Sequence, residues 1–482
     1  MKTELFPSAN RRGLVPAGNG LFATSRVGPG SLLLAIVFLC CGSLAAGSPC
    51  KIQAVNFEGW QAQEISNAWV KLTIVPQLGG RLMQVTFAGH PYLFVNEKLK
   101  GKYIPPSDPS AKGRWFNYGG DKIWPMPEGS GDDQHWPGPI ADVLDDGEYK
   151  FTAISENSVC AGRLEGPADP VTGLQYTREI RLPSDSPQIS FHAVMKNASR
   201  YPIRWSMQSV SQYNTSDASD RTTFNRDFWA FAPANPQSAY LGGFHVRAGL
   251  ADDPSFSVED GLFKLHWMYL QNEVWIDSVG DWIAVVDGQS QFAMIERFRF
   301  YPAAEYPGKA SVIFYKNGPA LEMDEKGIPF IKTANPEDAM HYMEAELNSP
   351  MVRLAPGESY AMDTEWLPTR LSRNVTAVTA AGAVSGSFSA SPTTGGLVLS
   401  GEFGVFTRGK LVARPYNRRG IALGDIILQN ASPENLVQLR QEIKTGKNIA
   451  RISLRFVDEK EMDFGPLGDV SIKHYDGEST EK

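Results

Sequence analysis

A mostly β chain is what this sequence predicts: an antiparallel sandwich of large sheets, followed by a small β-rich domain with one helix. Three observations carry that expectation. Side-chain character alternates with a period of two in many short segments, turn signals separate those segments, and no capped helix of ten or more residues stands out before residue 375.

At the N-terminus, Lys2, Arg11, Arg12 and Arg26 precede the apolar run from Leu32 to Cys41, and Gly42, Ser43, Ala45, Ala46 and Gly47 follow it. That charged, apolar and cleavable order predicts a secretory signal peptide over residues 1–47, with an apolar run too short to span a bilayer. Arg11-Arg12 lies far from the apolar run for a twin-arginine signal, and the bulky Phe38 and Leu39 before Cys40 argue against a lipoprotein site. The expected mature protein is exported, periplasmic or secreted, with no membrane span after cleavage. It keeps Cys50 and Cys160, for which one disulfide and two free thiols are equally good readings.

The sandwich is expected over residues 48–374. Val70, Leu72 and Ile74 alternate with Lys71 and Thr73, and Ile189, Phe191, Ala193 and Met195 alternate with Ser190, His192 and Lys196. Both are patterns of half-buried strands. Further strands are expected at Leu82 to Phe87, Tyr92 to Val95, Thr177 to Leu182, Trp282 to Val286, Ser311 to Tyr315, Met343 to Leu347 and Tyr360 to Trp366. Ala88-Gly89, Asp146-Gly147, Asp287-Gly288 and Pro356-Gly357 supply turns.

Composition then changes. No tryptophan follows Trp366, and residues 375–396 are dominated by Ala, Gly, Ser and Thr, which predicts a linker. The C-terminal domain is expected over 397–482. Ser432 as N-cap, Pro433 at the first helical position and Gly446 beyond the end frame a helix with Leu436, Leu439 and Ile443 on one face. Strands are expected at Leu397 to Phe406, Ile421 to Leu428 and Ile452 to Phe456.

The chain has 482 residues, 42% apolar and 21% charged, and a net charge of −7. These values fit a globular protein of two or more domains and argue against nucleic acid as a partner.

The densest cluster of chemistry runs from Trp115 to Trp136. It reads Trp115-Phe116-Asn117-Tyr118-Gly119-Gly120-Asp121-Lys122-Ile123-Trp124-Pro125, then Glu128, Asp132, Asp133, His135 and Trp136. Pro125, Pro127, Pro137 and Pro139 keep it from forming a long helix or a central strand. A sugar ring can lay its C–H face on an indole while its hydroxyls bond to Asn, Asp, Lys or Glu, so this loop is a candidate sugar platform. The same tryptophans also fit a cap on a hydrophobic core. Glu128, Asp132, Asp133 and His135 have ligand types suited to a divalent cation, yet lack the spacing of a calcium loop. No metal and no cofactor is expected.

Three segments carry a resemblance: Pro76-Gln77-Leu78-Gly79-Gly80-Arg81, the loop from Asn117 to Pro125, and Glu344-Ala345-Glu346 with Ser349-Pro350 and Leu354 to Ser359. Their order resembles an uncharacterised bacterial family of the galactose-mutarotase-like superfamily, relatives of the aldose 1-epimerases, over about residues 55 to 368. The resemblance implies a β-supersandwich with a sugar cleft. It also implies that Glu344, at the position of the epimerase glutamate, is a base toward the anomeric hydroxyl. The family histidines are missing: Tyr118 precedes Gly119-Gly120 where an epimerase has His, and Gln208 falls where the second His is expected. Glutamine cannot act as an acid.

Lys122, His135 or Tyr118 is then expected to supply the acid. The catalytic candidates are Glu344, Lys122 and Tyr118. The substrate-binding candidates are Arg81, Trp115, Asn117, Asp121, Trp124, His135, Trp136, Gln208 and Glu346. Arg81 fits a fork on hydroxyls or a carboxylate, and equally a solvated residue after a tight turn. The expected ligand is a sugar or oligosaccharide. The alternative is a non-catalytic carbohydrate-binding or structural cell-envelope protein.

Overall fold

The computed structural model describes residues 50–129, 134–140, 142–323, 326, 329–332, 340–444 and 448–472. The expected signal peptide, together with Asp132 and Asp133, lies outside them. Two large antiparallel sheets dominate the described residues up to 370, one of twelve strands and one of ten. In the first, Arg81–Phe87, Asp121–Met126, Ile203–Asn214, Tyr342–Asn348, Val312–Lys316, Asn272–Ile276 and the edge strand His245–Gly249 lie side by side in that order.

Period-two patterning positions both sheets. In Ile189–Asn197 the residues Ile189, Phe191, Ala193 and Met195 are buried while Ser190, His192, Val194 and Lys196 are at least partly exposed. Leu72, Val85, Ile180, Phe191, Met207, Phe314 and Trp366 belong to one core cluster fed by both sheets. Full burial of such side chains stabilises by roughly 1.5–3 kcal/mol each. The expected strands recur with two exceptions, and the first is Ile421 to Leu428, where the strand begins only at Ile426. Tyr92 to Val95 makes only isolated bridges, Leu93 to Tyr213 and Val95 to Gly119. Cys50 and Cys160 form a disulfide with Cα atoms 5.9 Å apart, joining the start of the described chain to the second sheet.

Two expectations fail at the C-terminal end. Residues 375–396 are not a linker: Val375–Val378 and Gly382–Pro392 are paired strands. Small residues here serve close approach, since a Cβ at Gly382 would lie 2.2 Å from the Gly404 carbonyl oxygen. Val375, Ala383 and Phe406 also share a core cluster with Ala284, Ile295 and Leu371.

The expected helix after Ser432 is instead the strand Val437–Lys444, paired antiparallel with Gly396–Val405. Val437, Leu439 and Ile443 point inward at even spacing, and the ladder to a neighbouring strand overrides the capping signal. Two four-stranded sheets enclose the C-terminal core around Leu399, Phe403, Leu439, Leu454 and Phe456.

Candidate sugar cleft

Antiparallel register assembles the site. Residues directly opposite one another share a face, and residues two apart on one strand do too. Gln208 stands opposite Trp124. Glu344 lies between Gln212 and Tyr315, and Glu346 between Val210 and Ile313. Tyr315 and Ile313 in turn face Glu273 and Trp275. The alternate residues Met343, Ala345 and Leu347 point the other way, into the core between the sheets.

The result is a cleft of about 490 Å³, within the range of small-molecule sites. Trp115, Trp124, Trp275, Tyr315 and Tyr342 provide aromatic walls. Gln208, Arg247 and the carboxylates Glu128, Glu273, Glu344 and Glu346 provide the polar groups.

The two central carboxylates have different partners. Glu344 Oε1 accepts hydrogen bonds from Gln212 Nε2 at 2.6 Å and Lys122 Nζ at 3.4 Å. Glu346 Oε2 accepts from Gln208 Nε2 at 2.5 Å. Burial, then the charges of Glu344, Glu273 and Glu128, push the Glu346 carboxyl well above the usual range, which favours its protonated form. Burial lowers the Lys122 ammonium, offset by Glu344, and its Nζ lies 4.4 Å from the Trp124 ring centroid.

Behind the tryptophans is a turn built from acids. Asp142 caps the short helix Val143–Asp146 by accepting from Leu144 N, and its other oxygen accepts from Trp136 Nε1 at 2.8 Å. Asp145 Oδ1 accepts from Trp124 Nε1 at 2.7 Å and Arg81 Nη2 at 2.7 Å, while its Oδ2 accepts from Trp115 Nε1 at 3.1 Å. One carboxylate thereby orients two indoles. Gly79 permits this approach: its φ is +63°, and a Cβ there would lie 1.8 Å from the Asp145 carbonyl oxygen.

The structure brings Trp115, Trp124, Gln208, Glu344 and Glu346 to the cleft, with Lys122 beneath it. Other expected positions lie elsewhere. Arg81 is fully buried between Asp145 and Asp146, so it braces the tryptophan turn rather than gripping a ligand. Asp121 is fully buried on the opposite sheet face, paired with Arg178 and Ser211, as expected for a neighbour of Lys122 along an extended strand.

Tyr118 is buried among Trp60 and Phe116, where its hydroxyl accepts from Ile104 N and burial pushes its phenol up to about 12. It is no acid for the cleft. Asn117 is buried and accepts from Gly119 N within its own turn. Trp136 is fully buried behind Trp124, with ring centroids 5.3 Å apart. His135 sits against Gly129 and is not among the cleft residues. No group of three or more metal-binding side chains occurs among the described residues. Sequence reasoning missed Asp142, Asp145, Arg247, Glu273, Trp275, Tyr315 and Tyr342 as site residues. The alternation Glu273-Val274-Trp275 gave a strand signal without revealing its neighbour.

A family model matches residues 61–368, which hold this whole cleft. The chain belongs to the family described as a domain of unknown function, DUF4380. No curated protein matches this DUF4380 chain. Among solved structures it is similar to a galactose mutarotase-like protein from Clostridium acetobutylicum, at 10% identity and TM-score 0.43, over 67% of this chain and 99% of that one. A galactose mutarotase-like protein from Lactobacillus casei is similar at 11% identity and TM-score 0.40, over 64% and 99%. A TPR-domain containing protein from Parabacteroides distasonis is similar at 14% identity and TM-score 0.42, over 64% of this chain but only 47% of that protein.

Proposed function

We propose that the cleft binds a sugar and exchanges its anomers by acid–base catalysis, with Glu344 as base and Glu346 as acid. One observation carries the reading: two carboxylates share a strand face in an aromatic-walled cleft, and their surroundings differ. Glu344 is paired with Lys122, while Glu346 meets only Gln208, and burial with the neighbouring acids pushes it toward its protonated form. Two carboxyl groups with divergent environments are a means of dividing base and acid roles.

In this mechanism Glu344 takes the proton of the anomeric hydroxyl, and Glu346 gives its proton to the ring oxygen. The bond between the anomeric carbon and the ring oxygen breaks as the carbonyl forms. Rotation about the adjacent carbon–carbon bond and reclosure, with both protons returned, gives the other anomer. Glu346 thus takes the acid role that Gln208 cannot fill. Lys122 holds Glu344 and lies against Trp124 as a positioning residue.

Exchange spectroscopy on a panel of hexoses and pentoses tests this reading. Wild-type protein is expected to accelerate exchange of at least one sugar, and Glu344→Gln to slow it by about 10²–10⁴-fold while tryptophan emission still responds to ligand. A Glu344→Gln rate equal to wild type removes Glu344 from the mechanism. Ligand-induced fluorescence without any exchange favours the binding-only alternative, for which Gln208 in place of histidine is the supporting feature.

We also infer that the protein is exported. The charged, apolar and small-residue order of residues 1–47 supports this, as does the Cys50–Cys160 disulfide, which suits an oxidising compartment. Detection of the chain, with its disulfide intact, only in the cytoplasm would contradict it.

A further inference from the structure

We propose that the sugar taken by this cleft carries a positive charge, an amino sugar whose ammonium group sits between Glu128 and Glu273 against the Trp275 face. This rests on the sugar-site reading above and names its substrate class. The acid–base mechanism needs two carboxyl groups, and the cleft has four.

Glu128 and Glu273 are the surplus. Glu128 follows the Asp121–Met126 strand at the rim of the cleft, and Glu273 lies across Tyr315 from Glu344. Packing around the Glu128 carboxyl first, and the charge of Glu273 second, lift it to about 7, although the residue as a whole is exposed to solvent. Glu273 is also raised, by burial first and with Glu344 contributing.

Two cations attend the four acids. Lys122 is committed to Glu344, and Arg247 lies at the exposed rim, 5.9 Å from the Trp275 ring centroid. With Glu346 as the protonated acid, three carboxylates face two cations, and Glu128 and Glu273 share the single charge of Arg247.

A separate observation shows that the cleft is built to receive hydrogen-bonding groups. The Glu346 side chain is more than nine-tenths buried and lines the cavity, yet only its Oε2 has a partner among the described residues. The Glu344 hydrogen bonds likewise both fall on Oε1. Each acid leaves one oxygen for the ligand. Trp275 Nε1 donates to Glu273 Oε1 at 2.5 Å, which fixes the indole beside a carboxylate and leaves the other oxygen for a donor. Carboxylate and aromatic faces together favour an ammonium group over a hydroxyl or an acetamide, because both attract cations and a bound ammonium relieves repulsion among the acids.

Isothermal titration of the full chain tests this with D-glucosamine, D-galactosamine and D-mannosamine, each beside its N-acetyl derivative and its parent hexose. At least one amino sugar is expected to bind about tenfold or more tightly than its two neutral counterparts, with the preference shrinking at high salt. The double variant Glu128→Gln, Glu273→Gln is expected to bind the neutral and amino sugars within a few-fold of each other, with its fold verified by circular dichroism. Neutral sugars that bind as tightly as amino sugars overturn the charge inference and leave the sugar site standing. Binding by no sugar of any kind overturns the sugar-site reading, and the charge inference with it. An amino-sugar preference unchanged in the double variant overturns the placement at Glu128 and Glu273.

Discussion

Glu344 and Glu346 are two residues apart, and what separates them chemically is the set of partners each receives across the sheet. Gln212 and Lys122 converge on Glu344, whereas Gln208 meets Glu346. The proposed acid must keep its proton, so the rate should fall as pH rises through the elevated Glu346 value, with log kcat approaching a slope of −1. Glu346→Gln is expected to remove that alkaline limb and cost about 10²–10⁴ in rate; a pH–rate profile checks both. Glu344 was legible through the resemblance to the epimerases, and Glu346 because it lies two residues on, on the same strand face. Arg81 and Asp121 were misassigned because sequence shows a charge but not what meets it. Arg81 is claimed by Asp145 and Asp146, and Asp121 by Arg178.

At the scale of elements, the turn from Asp142 to Gly147 decides whether the tryptophans form a wall. Asp145 binds Arg81, Trp115 and Trp124 at once, with Arg81 and Asp145 both out of solvent. Asp145→Ala leaves a buried guanidinium short of its main partner and is expected to destabilise the fold by about 3–5 kcal/mol. Denaturant titration measures that loss, and a changed tryptophan emission in the still-folded variant reports the freed indoles. The turn was invisible as a site component because it comes after the tryptophan motif and reads as an ordinary acidic turn. The same lesson holds for Val437–Lys444. Its local signals framed a helix, while Val437, Leu439 and Ile443 also fit a period of two, and only the strand Gly396–Val405 beside it decides between them.

For the whole molecule, the sandwich was legible because its strands repeat one simple pattern, and the cleft was only half legible because it is made by topology. Trp115, Trp124, Gln208, Glu344 and Glu346 fall in or near recognisable segments. Arg247, Glu273, Trp275 and Tyr315 join them through the pairing of Tyr342–Asn348, Val312–Lys316, Asn272–Ile276 and His245–Gly249, which no local signal specifies. Long-range closure also bears on stability. The Cys50–Cys160 bond spans 110 residues, and replacing both cysteines by serine is expected to cost about 4–5 kcal/mol in the chain-entropy model, read as a lower denaturation midpoint.

The central claim is that the face carrying Glu344 and Glu346 is a sugar site, and a crystal structure of the full chain at saturating hexose or hexosamine tests it most directly. The account predicts a ring against Trp124 or Trp275, with a hydroxyl within hydrogen-bond distance of Glu344 and another of Glu346. A sugar ordered elsewhere, as in the separate cavity lined by Asn96, Asn214 and His341, with this cleft empty, would contradict it.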